Sequence, residues 1–477
     1  MIPFGEYLPD QPPHQTDGLV VADGCYPSVN GYRPLGSFAA SIDGALPAAC
    51  LGAASARGAD GTVYVFAGTT DELYSFTSSG WGAVGPTPAS YSATDLIGWR
   101  FGQFGSLVLA SNSNDEIQKV SIATPGGVFG DLGGSPPKAR YMAIVRDFVC
   151  LGYVDGDAKK IANSGINDAE SWTPGTDEAF ETVFAKGGDI TGYVGGEYGL
   201  IFQENRITRQ TYVSGDLIWQ FDEISPEIGC IAPWSIVQVG RQVFFLSEQG
   251  FMVCDGNSVT PIAVEKVDRT WRSRAIRSRF HTMSAIADPK STVVMWAVPD
   301  GDTPSGIMGY NWTLQRWFTH SQPVERLVGG MSQGVTLEQL GAAYPNLDTV
   351  PASLDDPMWR GGDPAIYLFN GSHAYGSLSG ISAEATFRTG VKGSGKRVRG
   401  RRLRPITDAG ALSVTVYTRD SLAGAETAST YSSIMRGGWM PARFNGGYAS
   451  FEVKIPAGGQ WSFIQGFEEE LTSGGRW

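Results

Sequence analysis

A repeated β-hairpin is the sequence feature that most constrains this fold. Between Gly187 and Ile262 lie two adjacent units, each a short apolar run, a turn rich in Gly, Asn, Glu or Gln, and a second run in which apolar and polar residues alternate. A period of two residues, as at Leu200 and Phe202, is that of a half-buried strand. The turn residues accept tight hairpin geometry. The segment therefore predicts two consecutive hairpins.

Similar hairpins recur along most of the chain. They begin roughly 42 to 51 residues apart, with a longer last interval. This spacing is typical of one four-stranded propeller blade per repeat, so we predict an all-β protein built on a β-propeller of about six to seven blades. The predicted units are Thr62–Phe76, Ser106–Ile122, Phe148–Ile166, Gly199–Gly215, Gln242–Ile262, Thr292–His320 and Ala365–Leu378.

Length and glycine content agree with a repeat architecture. A chain of 477 residues exceeds one ordinary domain core unless repeats carry it. Its 63 glycines, without a G-X-Y period, exclude collagen and fit many short strands joined by turns.

Three regions are expected. Proline-rich residues 1–36 predict an extended N-terminal arm, laid against the body or a neighbouring subunit. Residues 37–380 predict the propeller. Residues 381–477 have longer alternating strands and predict a C-terminal β domain, either a closing blade or a small β-sandwich.

Two segments break the hairpin pattern. Val264–Phe280 places Val264, Val267, Trp271 and Ala275 at helical spacing and predicts the best helix of the chain. Residues 330–362 read as a long insertion with few strands. Tryptophans in the connectors are expected to fill the wedges between blades; they are Trp81, Trp172, Trp219, Trp234 and Trp317.

The net charge and the cysteines limit the class of protein to which this chain can belong. A net charge of −12 argues against a generic nucleic-acid coat. The five cysteines show no CxxC pair and no even framework, which predicts free thiols made in a reducing cytoplasm. Neither a signal peptide nor a membrane-spanning run is expected, so we predict no membrane insertion.

The run ESWTPG…GGDITGYVGGEYGLIFQENRITRQTYVSG…FDEISPEIGC…SIVQVGRQVFFLSEQGFMVCDG resembles a family of bacteriophage virion proteins. These are the packaged-DNA stabilisation and tail hub (nozzle) proteins of short-tailed phages. The ending, GGYASFEVKIPAGGQWSFIQGFEEEL, is similar to the closing segment of that family. The resemblance covers roughly residues 165 to 270 and, more loosely, the C-terminal 80 residues.

The resemblance implies a structural role in the virion tail, after assembly in the host cytoplasm. A closed homo-oligomeric ring, for which we expect a hexamer, would sit below the portal and its adaptor. Double-stranded DNA would pass through the ring, which would retain packaged DNA and dock tail spikes or fibres.

Catalytic signatures are not evident in the sequence. SNSND and GINDAESW resemble the Asp-box turns of propeller glycosidases without their full order, so Asp168 and Asp177 are interpreted as turn residues. No nucleophile elbow, HExxH or phosphate loop is present. We therefore expect no enzyme, no cofactor and no metal. The alternative is a propeller that binds or cleaves carbohydrate.

Two arginine clusters are the candidate interface sites. Residues 383–404 hold eight Lys or Arg against one Glu, whereas residues 1–120 hold eleven Asp or Glu against four Lys or Arg. On a strand, Arg397, Arg399 and Arg401 would point to one side and Arg402 and Arg404, after a shift of one residue, to the other. Because the acid-rich segment offers a partner, we favour protein contact over DNA, although a solvated, charge-protected edge strand remains an alternative.

The predicted helix carries the second cluster. Arg269, Arg272 and Arg279 are expected to share one face, which could contact another subunit or an adaptor. A fully solvated helix face is the alternative.

Overall fold

The computed structural model describes residues 1–77, 79–123, 126–215, 217–299, 305–331, 364–435 and 437–473. Short antiparallel strands dominate this part of the chain. The arm and the start of the propeller contain β1 (Ile2–Pro3), β2 (Leu19–Asp23), β3 (Cys25–Ser28), β4 (Gly31–Pro34) and β5 (Ala39–Ala45).

The propeller blades are four-stranded antiparallel meanders, read here from the inner to the outer strand. Blade 1 contains β6 (Gly52–Arg57), β7 (Val63–Gly68), β8 (Leu73–Thr77) and β9 (Gly80–Ala83); blade 2 contains β10 (Arg100–Phe104), β11 (Leu107–Ser111), β12 (Gln118–Ser121) and β13 (Gly130–Asp131). Blade 3 contains β14 (Ala139–Val145), β15 (Phe148–Val154), β16 (Asp157–Asn163) and β17 (Phe180–Val183); blade 4 contains β18 (Ile190–Val194), β19 (Gly199–Gln203), β20 (Ile207–Tyr212) and β21 (Trp219–Ser225).

Blade 5 contains β22 (Val237–Val239), β23 (Gln242–Ser247), β24 (Gly250–Cys254) and β25 (Val259–Pro261). Blade 6 contains β26 (Ser284–Asp288), β27 (Val293–Ala297), β28 (Ser305–Asn311) and β29 (Arg316–Val324), and its outer strand continues into a larger sheet. Blade 7 contains β30 (Arg326–Met331), β31 (Pro364–Phe369) and β32 (Ala374–Ser377), and its fourth strand is β5. The predicted hairpins supply the middle strands of these blades.

Turn chemistry explains why the middle strands form hairpins. Between β15 and β16, Asp155 and Gly156 have φ angles of 52° and 81°. Two successive residues in this left-handed region make the tight turn that matches the twist of paired strands. An Asp-Gly pair occupies it with little strain, and an alternating apolar pattern then fixes which face is buried.

Hydrophobic clusters between neighbouring blades close the ring. Among the described residues, separate clusters join blades 1 and 2, 2 and 3, 3 and 4, 4 and 5, and 6 and 7, and the largest cluster spans blades 5 and 6. A last cluster packs Val65 and Ala67 of blade 1 on Val328 and Phe369 of blade 7. Blades 1 to 5 and blade 7 are separate four-stranded sheets, whereas blade 6 is part of the larger sheet and lies between blades 5 and 7. This arrangement confirms the predicted fold class.

The C-terminal strands form a curled sheet together with the arm. They are β33 (Ala385–Thr389), β34 (Lys392–Thr407), β35 (Ser413–Arg419), β36 (Thr427–Tyr431), β37 (Phe444–Ile455) and β38 (Ile464–Ser473). The strand order β29-β2-β33-β37-β34-β38-β4-β3 runs from blade 6 through the arm into this domain, and β35 pairs with β36 and β37. The C-terminal segment is therefore not the closing blade, because β5 completes the ring.

The arm forms part of the large sheet of its own chain. Strand β2, which has no proline, lies between β29 and β33, while Pro27 lies on the edge strand β3. Phe4 and Tyr7 are buried in the cluster that also holds blade 6 and the C-terminal strands. The predicted insertion 330–362 lies, apart from its first two residues, outside the described residues.

The prediction of a helix over Val264–Phe280 is wrong in extent. The α-helix α1 covers Asp268–Arg274, and a 3-10 helix follows at Arg277–Thr282. Ala275 and Ile276 are extended between them, and the amide of Ile276 donates to the carbonyl of Pro299 at 3.2 Å. This break lets Phe280 join Trp271 in the core, with ring centroids 6.0 Å apart, whereas Val264 is exposed.

The cysteine prediction is confirmed as far as the thiols are concerned. All five cysteines are free and buried. Among the described residues, no helix combines the length and the apolar character that crossing a bilayer requires.

Candidate functional site

The arginine-rich strand β34 pairs with acidic residues of its own domain. Its register opposes Arg402 to Glu470 and Arg404 to Glu468 on β38. The guanidinium of Arg402 contacts the carboxylate of Glu470, and Nη2 of Arg404 lies 2.7 Å from Oε2 of Glu468. These are partly exposed pairs, which contribute little to stability by themselves.

A β-bulge produces the shift of one residue that the arginine pattern required. The register of β34 against β38 skips Arg401 between Gly400 and Arg402. Gly400 and Leu403 are buried, whereas Arg399, Arg401 and Arg402 are exposed. A bulge of this kind re-aims side chains along an otherwise regular strand.

The remaining members of the cluster spread over the domain. Arg397 lies 3.2 Å from the carboxylate of Asp420, and Lys392 lies 2.6 Å from that of Asp17 in the arm. The side chain of Lys396 lies outside the described residues. The acid-rich N-terminal segment therefore supplies one partner to this cluster within the same chain.

A tryptophan lies against the arginines of β34. The guanidinium carbons of Arg402 and Arg404 lie 4.4 and 5.3 Å from the ring centroid of Trp439. A turn closed by the amide of Met435 and the carbonyl of Trp439 leaves Ile434 and Met435 42% and 47% exposed. We name this surface the arginine–tryptophan patch; it contains Arg401, Arg402, Arg404, Ile434, Met435 and Trp439. Exposed Trp, Met and Arg side chains are enriched at protein interfaces.

The helix arginines do not form the single face that the sequence predicted. Arg269 and Arg272 lie on α1, whereas Arg279 lies beyond the break in the 3-10 helix. Nη2 of Arg272 donates to the carbonyl of Glu248 at 3.0 Å, and Arg277 contacts the carboxylate of the same residue at 2.7 Å. These contacts anchor the connector to blade 5.

The arm caps α1. The carboxylate of Asp10 accepts the amide of Arg269 at 2.7 Å and the amide and hydroxyl of Thr270 at 2.8 and 2.7 Å. The local N-cap, Val267, offers no side-chain acceptor. A carboxylate at this end satisfies free amides and complements the helix dipole.

Asp10→Ala should lower the free energy of unfolding by about 1 to 2 kcal/mol, because it removes this cap. Urea denaturation measures the change. Asp17→Ala is the matched control: Asp17 is another arm carboxylate but is fully exposed, so its ion pair with Lys392 contributes little and the midpoint should shift far less than in Asp10→Ala. Equal midpoints for Asp10→Ala and the wild type would contradict the capping role.

A second cluster lies on the propeller axis. Trp234 belongs to a 3-10 turn (Pro233–Ser235) between blades 4 and 5. The guanidinium carbons of Arg100 and Arg326 lie 3.4 and 4.4 Å from its ring centroid. These arginines begin the inner strands of blades 2 and 7. A side chain that reaches these blades from between blades 4 and 5 must lie across the axis, so Trp234 closes the channel at this end.

Neighbouring groups hold the axial cluster in place. Nη2 of Arg100 donates to the carbonyl of Pro233 at 3.2 Å, and Nε of Arg326 donates to that of Cys50 at 3.0 Å. Trp296 Nε1 donates to the carbonyl of Ser235 at 2.9 Å. Gly98 lies so close that a Cβ there would come within 2.6 Å of the Trp234 ring. The cluster is therefore a fixed part of the fold.

This cluster was not predicted from the sequence. The prediction that Trp234 fills a wedge between blades is wrong, whereas Trp81, Trp219 and Trp317 do lie in outer strands. Arg100, Arg140 and Arg326 lie at the first or second position of inner strands. The sequence signal that could have revealed this cluster is an arginine that recurs at the start of the inner strand in three repeats.

The junction of arm, α1, blade 6 and β33 forms an open cavity of about 530 Å³. Its lining includes Asp23, Arg274, His320 and Glu384. Asp23 accepts the hydroxyls of Thr319 and Ser321, both at 2.8 Å. Glu384 lies 2.7 Å from Nζ of Lys454. Both carboxylates are thus held by the protein itself.

The aspartates of the Asp-box-like segments lie in turns. Asp168 accepts the amide of Glu170 at 2.8 Å, and Asp177 adopts a φ of 51°. Within the described ranges, no group of three or more His, Cys, Asp or Glu side chains is arranged to hold a metal ion.

Comparison with known proteins finds only distant similarity in structure. No family model matches it, and no curated protein matches its sequence. Similar solved structures include the dihydro-heme d1 dehydrogenase NirN (11% identity, TM-score 0.36, covering 89% of this chain and 77% of that one). The Neurospora crassa Pan2 WD40 domain is 10% identical (TM-score 0.36; 73% and 91% covered), and the N-terminal domain of Nup159 is 9% identical (TM-score 0.37; 74% and 97% covered). At these identities and TM-scores the similarity supports no conclusion about the activity or the partners of this chain.

Proposed function

We propose that this chain is a structural, non-enzymatic subunit of a bacteriophage tail: a hub or nozzle protein that forms a closed ring, a hexamer by resemblance. The observation that supports ring formation is the arginine–tryptophan patch, which places exposed arginine, isoleucine and methionine side chains beside the half-buried Trp439. It belongs to a sheet continuous with the arm and blade 6. A neighbour bound there would therefore be joined rigidly to the propeller.

The closed axis determines where DNA would pass in such a ring. Trp234, Arg100 and Arg326 fill one end of the channel of each propeller, so a duplex could not thread a single subunit. In the proposed assembly the conduit is the space enclosed by the copies. A subunit with a net charge of −12 suits a passage through which phosphates slide without being held.

Arg401→Glu should abolish or weaken ring formation while leaving the subunit folded. Arg401 lies exposed on the bulge, and reversing its charge would oppose an acidic partner surface. Native mass spectrometry and electron microscopy of the purified protein measure the ring. Arg33→Glu is the matched control, because Arg33 is an exposed arginine of the arm. Rings of equal stability in both variants would contradict the contact.

The alternative function, a propeller that binds or cleaves carbohydrate, has one specific observation in its favour. The cavity beside α1 is lined by two carboxyl residues, Asp23 and Glu384, together with Tyr7 and Trp271, and aromatic and acidic side chains are common in sugar sites. A monomer that binds or hydrolyses an oligosaccharide, with loss of that activity in Asp23→Asn, would favour this alternative. Rings without such activity would favour the structural role.

A further inference from the structure

The axial cluster concentrates positive charge that its surroundings do not neutralise. Arg326 is 5% exposed, its Nη1 is buried without a hydrogen-bond partner, and so is Nε of Arg100. Within the described part of the chain, no ion pair joins either guanidinium to a carboxylate. A buried cation without a partner destabilises a fold by several kcal/mol.

The neighbouring titratable groups do not supply the missing negative charge. The charges acting on Arg100 include the cations Arg326 and Arg140. Tyr141 and Cys230 are also close, but burial raises their pKa values to about 12 and about 11, so both are neutral near pH 7. Burial lowers the pKa of Arg100 to about 9; Tyr141 opposes this shift, and the charges of Arg326 and Arg140 add to it, so Arg100 is still charged near pH 7.

Among the described residues, the carboxylate that acts on Arg326 is already engaged. Glu325 precedes Arg326 and influences it electrostatically. Its Oε1 accepts the amide of Cys50 at 2.8 Å, and its Oε2 lies 2.5 Å from Nδ1 of His373. Through Glu325, these bonds connect the turn between β31 and β32 of blade 7 to the segment between β5 and β6. Besides the carbonyl groups of Pro233 and Cys50, the axial guanidinium groups contact the Trp234 ring.

We propose that Arg100 and Arg326 bind a small oxyanion of the phosphate class at the axis, on the face of the propeller where the inner strands begin. The planar guanidinium matches the oxygens of a tetrahedral anion with paired N–H donors. Arg100 and Trp234 are partly exposed, so an ion can reach Arg100 from solvent, whereas Arg326 is 5% exposed. Arg140 adds a third positive charge, although its Nη2 is bound to the carbonyl of Leu96 at 2.9 Å. The site lies within one chain and does not depend on ring assembly.

Calorimetric titration with inorganic phosphate, at constant ionic strength in a buffer free of multivalent anions, tests this site. We expect saturable 1:1 binding to the full chain, weakened about tenfold or more in Arg100→Gln, because one guanidinium fork is lost. Arg100→Lys retains the charge and should bind several-fold more weakly than the wild type. If Arg100→Gln fails to fold, Arg100→Lys still tests the site. Arg33→Gln is the matched control, since Arg33 also lies over an aromatic ring, Tyr26, at 4.8 Å, and it should bind phosphate normally.

Each of three results in these phosphate titrations would overturn the proposal. They are the absence of saturable phosphate binding by the wild type, equal binding by the wild type and the folded Arg100 variants, and loss of binding in Arg33→Gln as well. Titration with acetate distinguishes the ligand class. If acetate binds as tightly as phosphate, the site accepts carboxylates, such as an acidic side chain of a partner protein, and the phosphate assignment fails.

Discussion

Phe4→Ala should lower the free energy of unfolding by about 3 to 5 kcal/mol, the loss expected when a buried phenylalanine leaves a cavity. Phe4 is 2% exposed, and its ring centroid lies 5.4 Å from that of Phe387 and 6.1 Å from that of Phe467. The amide of Phe4 also donates to the carbonyl of Gln465 at 2.8 Å. Urea denaturation followed by circular dichroism measures the effect.

Val29→Ala provides the control, because Val29 also lies in the arm but is 71% exposed. Its midpoint should match that of the wild type. A small effect of Phe4→Ala would mean that the arm leaves the sheet in solution and is free to reach a neighbour. A large effect would show that an arm deletion disrupts the subunit itself, so loss of rings in such a deletion would say nothing about contacts between copies.

The repeated part of the fold was predictable because its determinants are local. A two-residue period with turn residues such as Asp155 and Gly156 defines each hairpin regardless of the rest of the chain. Ring closure was not predictable, because β5 pairs with β32 across more than 300 residues and no short-range pattern encodes that partner. The arm was misleading for a related reason: its prolines indicate an extended chain, but the proline-free β2 is a central strand only because β29 and β33 lie on either side.

The candidate sites divide in the same way. Arginines 397 to 404 were visible as a cluster in the sequence, and even the bulge at Arg401 was suggested by their alternation. Their partners, Glu468, Glu470 and Trp439, depend on strand pairing and a distant turn. The axial cluster brings together residues from blades 2 and 7 and the connector after blade 4, so only the closed ring reveals it. The arginine cluster of β34 was recognisable from its density of positive charge in the sequence. The axial cluster is recognisable only in the structure, from the absence of compensating negative charge around its arginines.

A histidine beside the arm should make the stability of the subunit depend on pH. His320 is 5% exposed, and its Nε2 is buried without a hydrogen-bond partner. Its strand neighbours, Thr319 and Ser321, bind the carboxylate of Asp23. Burial lowers the pKa of His320 from 6.5 to about 4, although the charge of Asp23 opposes part of this shift.

The direction of the effect follows from proton uptake. Well above pH 6.5 the imidazole is neutral in both the folded and the unfolded state and contributes no pH dependence. As pH falls from 6.5 towards about 4, the unfolded chain binds a proton that the folded protein excludes, so the free energy of unfolding falls. A pKa difference of this size corresponds to about 3 kcal/mol. Urea denaturation between pH 7.5 and 4 should show this loss in the wild type in addition to the effect of its carboxylates.

His320→Gln should remove this component, so the stability difference between variant and wild type should shift in favour of the variant by about 3 kcal/mol across that pH range. His14→Gln is the control, because His14 is exposed on the arm, and its pH profile should parallel that of the wild type. Parallel profiles for His320→Gln and the wild type would mean that the imidazole is solvated in solution. Since Asp23 lies on β2, such solvation would require the arm to separate from blade 6, so the same experiment tests whether the arm remains part of the sheet.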